Sequence, residues 1–109
     1  MKKKKLLLDE CVTHKLRNHF DSLETYTTSY MGWDGIKNGK LLQLAVDNEF
    51  EIFVTTDKNL QFQQNMTNYN ITVVLLNAPI VNLRYLVPLV AKFFERIDSF
   101  EKHKIYVIG

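Results

Sequence analysis

A single cysteine, Cys11, stands in this chain of 109 residues, so no internal disulfide can form and the fold must rest on a buried core. A reducing, cytoplasmic setting is expected on that ground. Proline is scarce at two residues and glycine at four, which leaves no Pro- or Gly-rich linker and no low-complexity segment. One domain spanning residues 1–109 is therefore expected. No apolar run approaches the ~20 residues of a membrane span, so no membrane partner is expected. The opening Met1-Lys2-Lys3-Lys4-Lys5 before Leu6-Leu7-Leu8 has the outline of a secretory signal, but its apolar part is short and runs into two acids. No leader is expected, and the sequons at Asn65 and Asn70 are expected to be silent. Charge of one sign is lacking too: 14 basic against 12 acidic side chains give a net +2. That balance neither demands nor excludes a nucleic-acid partner, because what counts is where the positive charge gathers.

What is present is an ordinary globular composition, 46% hydrophobic and 12% aromatic, which argues against disorder. Short β-like runs alternate with helix-like stretches. The expected strands are Lys4 to Asp9, Glu24 to Thr28, Glu51 to Thr56, Ile71 to Leu76 and Lys104 to Ile108. The polar second run reads as an edge strand. Between the strands, helices are expected at Thr13 to Phe20, with Val12, Leu16, His19 and Phe20 on one side, at Lys40 to Asn48, and at Lys58 to Asn65. A last helix is expected between Asn82 and Phe100, where Pro88 either kinks it or begins it. Right-handed crossovers with helices on both faces make this an α/β fold, a doubly wound and mostly parallel five-stranded sheet. Ligands then sit outside the carboxyl ends of the strands, at the switch point.

Two of the apolar runs end on acids. Leu6-Leu7-Leu8 meets Asp9-Glu10, and Ile52-Phe53-Val54-Thr55-Thr56 meets Asp57. If those strands are neighbours, the carboxylates converge at one end of the sheet. Hard cations such as Mg²⁺ or Mn²⁺ take oxygen ligands, and a cation there can lower the pKa of water and neutralise charge on a phosphodiester. Strand-end acids also serve as caps for the turns that follow them, and that reading stands beside the first.

Three segments, in order, carry a resemblance. They are Leu6-Leu7-Leu8-Asp9-Glu10, then Met31-Gly32-Trp33-Asp34-Gly35-Ile36-Lys37-Asn38-Gly39-Lys40-Leu41-Leu42, then Thr55-Thr56-Asp57-Lys58-Asn59-Leu60-Gln61-Phe62-Gln63-Gln64-Asn65. Together the three resemble a family of small uncharacterised PIN-like proteins. The resemblance implies a three-layer α/β/α PIN-like domain and a Mg²⁺- or Mn²⁺-dependent ribonuclease, of the kind found as the toxin of toxin–antitoxin pairs. It implies Asp9 as the central metal ligand, Glu10 as an accessory acid and Asp57 as the acid of the adjacent strand. RNA is the expected substrate and a small antitoxin protein an expected partner. Where such proteins often carry an acid in the loop opening the second helix, this chain reads Asn38 and Lys40.

Other residues complete the picture. Lys37, Lys40 and Lys58 are expected near the acids, where they and Asn38 can position substrate phosphates. His14, Lys15 and Arg17 extend that basic surface or form an ordinary exposed face. Trp33 stacks on a base or, preferably, anchors the glycine loop. The amides Gln61, Gln63, Gln64 and Asn65 are expected to serve loop backbone. Nothing in the sequence orients Cys11 and His14 as a nucleophilic pair. The stripe from Leu83 to Phe100 serves the core first and a homodimer second. Two rival readings remain: a PIN-like scaffold that binds without cleaving, and a receiver-like domain with Asp57 as phosphoacceptor.

Overall fold

Leucine-rich and β-branched runs build five strands: β1 (Lys5–Leu8), β2 (Glu24–Thr27), β3 (Ile52–Thr55), β4 (Thr72–Leu76) and β5 (Lys104–Ile108). They belong to a computed structural model that describes residues 3–60 and 65–109. All five are parallel, in the order β2-β1-β3-β4-β5. β3 and β4 are buried at every position, as strands covered on both faces must be. β2 lies at one edge and is mostly half-buried, which its threonines and tyrosine tolerate.

Side chains alternate between the faces and build two cores. Leu6, Leu8, Ile52, Val54, Val74 and Leu76 share one face with the 3₁₀ segment His14–Phe20 and a long helix. Leu7, Phe53 and Val73 share the other with Leu41, Leu42 and Ala45 of a shorter helix. In chain order the α-helices among the described residues are α1 (Thr28–Met31), α2 (Asn38–Asp47) and α3 (Leu83–Arg96). The sheet is thus sandwiched in an α/β/α arrangement. On the α3 side Phe93 is fully buried and meets Phe20 edge-on at 5.2 Å and Phe94 at 5.1 Å.

Expectation and structure differ in local ways. Residues 13–20 form a 3₁₀ segment, and burial there follows the four-residue step Val12, Leu16, Phe20, leaving His19 exposed. Thr28 leaves the strand to start α1, because Thr27 caps that turn by accepting from the Tyr30 N–H at 3.1 Å. α2 begins at Asn38, two residues before the expected Lys40. α3 begins at Leu83, capped by Asn82, so Pro88 lies inside it on an exposed face. Half of the helical turn expected at Lys58 to Asn65, namely Gln61, Phe62, Gln63 and Gln64, lies outside the described residues.

Candidate functional site

The strand order reverses direction at β1 and β3, so the crevice at their carboxyl ends is the switch point. Leu8 pairs with Val54, and the Asp9 N–H donates to the Val54 carbonyl at 2.9 Å, which carries the ladder one residue further. Asp9 therefore stands where β1 ends, 6% exposed. Its Oδ1 accepts from the Glu10 N–H at 2.8 Å, and its Oδ2 from the Thr55 hydroxyl at 2.8 Å and more distantly from the Cys11 thiol at 3.4 Å. Each of these donors is neutral. Desolvation outweighs them and holds the Asp9 carboxyl above the usual carboxylate range, with the nearby Glu10 charge pushing the same way.

Thr55 ties the two acidic strand ends together. Its hydroxyl donates to Asp9 and accepts the Asp57 N–H at 3.0 Å. Asp57, half-buried, caps its own turn by accepting from the Asn59 N–H at 3.0 Å, as the local reading expected. Its second oxygen receives the Asn38 side-chain amide at 3.4 Å, a long bond that brings the first residue of α2 to the crevice. Glu10 is exposed and reaches sideways: its Oε1 accepts from the Gly35 N–H at 3.1 Å. Gly35 has φ +83°, a left-handed conformation that suits glycine and turns that N–H toward Glu10. Asp34 is occupied inside its own loop by the Thr28 and Ser29 hydroxyls. Trp33 packs edge-on against Phe50 at 5.9 Å and anchors the loop.

Cys11 sits in this cluster and not in a pair with His14. The residue is exposed, yet its sulfur turns inward to the Asp9 carboxylate, to Thr55 at 3.4 Å and to the Thr56 hydroxyl at 3.1 Å. Desolvation pushes the thiol up, and the Asp9 charge adds to the effect. The sequence places Cys11 two residues after Asp9, but its link to Thr55 and Thr56 spans the β1–β3 boundary and is visible only in three dimensions. The two hydroxyls closing the otherwise apolar run Ile52-Phe53-Val54 were the available signal.

Among the sequence candidates, the structure joins Asp9, Asp57 and Asn38 by hydrogen bonds and sets Glu10 beside them on the glycine loop. Lys37, Lys40 and Lys58 are exposed, the first two where α2 begins and the third directly after Asp57. Among the described residues no three His, Cys, Asp or Glu side chains are grouped to hold a metal ion. A fully protein-built cage is therefore not what these residues resemble. Asp9 and Asp57, with the Thr55 hydroxyl and the Asn38 amide beside them, are the residues that could hold a hard cation, and water would have to complete its ligands. Comparison of the chain with protein families, with curated proteins and with solved structures finds no match. Among the described residues no helix is long and apolar enough to cross a membrane.

Proposed function

We propose that this protein is a metal-dependent nuclease of the PIN-like type that hydrolyses phosphodiester bonds of RNA at the β1–β3 crevice. The observation that carries the reading is Asp9: a buried carboxylate at a topological switch point, held by neutral donors, with its desolvation not offset by a cationic partner in those bonds. A buried acid so arranged gains most when a cation binds it. Asp9 and Asp57 would hold Mg²⁺ or Mn²⁺, with Glu10 as accessory acid, and the bound ion would supply charge neutralisation and a lowered pKa of water. Thr55 fixes the Asp9 carboxylate and the Asp57 backbone in one hydrogen-bonded unit. Asn38 orients Asp57. Lys37, Lys40 and Lys58 supply positive charge for backbone phosphates, which sets position and not sequence. The single thiol fits a cytoplasmic setting.

Purified protein with a labelled RNA and Mn²⁺ should release shorter fragments, and Asp9→Asn or Asp57→Asn should abolish release while leaving the fold intact by circular dichroism. Cleavage that persists in both variants overturns the assignment.

A receiver-like reading has one observation in its favour, the strand order, which doubly wound phosphoacceptor domains share. Against it, β4 is followed by Asn77 and Ala78, where that chemistry calls for a hydroxyl. Labelling of Asp57 by acetyl phosphate would restore it.

A further inference from the structure

Beside the crevice, a second feature is unused by the acids. A groove of about 500 Å³ opens along the carboxyl end of the edge strand β2, lined by His14, Lys15, Arg17, Asn18, Thr27 and Tyr30. Thr27, the last residue of β2, pairs with Leu8, the residue before Asp9. The groove is therefore one strand spacing, about 4.8 Å, from the strand that carries Asp9. Its lining holds two fixed cations, one histidine and no acid.

Both walls are held from below. Leu16 and Phe20 are fully buried and pin the segment that presents His14, Lys15 and Arg17. Arg17 donates its Nε–H to the Thr25 carbonyl at 3.0 Å, which uses one of its five donors and sets the guanidinium at the groove. On the opposite wall Tyr30 belongs to the single-turn helix α1, capped by Thr27 before it and by Gly32 at φ +74° after it. Tyr30 is 76% exposed as a residue, although its ring leans on Tyr26 at 5.6 Å with a 35° tilt, and Tyr26 in turn meets Phe50 edge-on at 5.8 Å. Tyr30 is thus an aromatic platform braced on one side and open on the other.

We infer that this groove binds single-stranded nucleic acid, with Lys15 and Arg17 on backbone phosphates and Tyr30 stacking on an unpaired base, and that it leads the strand to Asp9. The combination selects the ligand. Cations without acids recognise a polyanion, and an open aromatic face stacks on a base only where that base is not already stacked in a duplex. The path to Asp9 rests on the nuclease reading, whereas binding in the groove does not.

The test separates the two. Fluorescence anisotropy is read in EDTA, so that no divalent ion contributes, with a labelled oligouridylate, the matching DNA strand and a duplex of the same length. Single strands should bind and the duplex should bind more weakly. Tyr30→Ala should lower single-strand affinity about tenfold, the size expected for one stacked base, and Tyr30→Phe should restore it. Lys15→Gln should lower the slope of log affinity against log salt by about 0.7, one phosphate contact on a single strand. The inference is overturned if Tyr30→Ala leaves affinity unchanged, if duplex binds as well as single strand, or if no strand binds. Tyr30-dependent binding without any cleavage in Mn²⁺ keeps the groove and removes the nuclease reading. Cleavage indifferent to Tyr30 and Lys15 does the reverse.

Discussion

The Thr55 hydroxyl donates to Asp9 Oδ2 at 2.8 Å across the β1–β3 boundary, and the same oxygen accepts the Asp57 N–H at 3.0 Å. One buried threonine therefore couples the two acids on which the functional reading depends. Replacing it by valine keeps the shape but leaves a buried carboxylate short of a donor and an amide short of an acceptor. Thr55→Val, which leaves both groups unpaired at about 1–3 kcal/mol each, should cost about 2–4 kcal/mol in urea unfolding. Thr55→Ser, which loses only a methyl group, should cost about 1 kcal/mol. Equal losses for the two would show that the hydroxyl is not the link.

The Asp9 carboxyl titrates above the ordinary carboxylate range because it is buried. Its unfolded value is about 3.9, so from there up to the raised native value the folded state binds more protons than the unfolded chain. Stability from this group is full below that window and is lost as pH rises through the native pKa. In the absence of divalent cations, Asp9→Asn should therefore become more stable relative to the native protein as pH climbs through the window. Denaturant melts at a series of pH values read this directly. A difference between the two proteins that stays flat with pH contradicts the burial argument.

Cys11 is exposed by area but chemically subdued, since desolvation and the Asp9 charge both raise its thiol. Thiolate is the reactive form. Alkylation by iodoacetamide near neutral pH should be slower than that of free cysteine, and it should quicken in Asp9→Asn. A rate at or above that of free cysteine in the native protein would place the sulfur outside the cluster.

Phe93 gathers Phe20, Phe94 and Phe100 around it on the α3 side of the sheet. Phe93→Ala should cost about 3–5 kcal/mol in denaturant unfolding. Tyr30→Ala, at a 76% exposed position, should stay within about 0.5 kcal/mol of the native protein. A large loss at Tyr30 would mean that its ring is structural.

The strands were legible because leucine and β-branched runs are short, evenly separated and bounded by polar residues. The edge placement of β2 followed from Thr25, Thr27 and Tyr26. The α/β/α layering followed from the alternation of strand and helix patterns. Less legible was α1: Thr28 continues the threonine-rich strand pattern, and only the cap from Thr27 turns the chain into a helical turn. The site was half visible. Asp9 and Asp57 stood out as acids closing apolar runs, whereas Thr55, Thr56 and Cys11 read as strand and loop residues. Their role comes from parallel pairing of β1 with β3, a contact between positions 46 residues apart that no local pattern encodes. Glu10 reaching Gly35 depends likewise on a left-handed glycine.

The most direct measurement is isothermal titration of Mn²⁺ into the native protein and into the Asp9→Asn, Asp57→Asn double variant. The native protein should bind Mn²⁺, more weakly as pH is lowered through the raised Asp9 pKa, and the double variant should show no binding heat at the same concentrations. Unchanged Mn²⁺ affinity in the double variant would contradict the account at its centre.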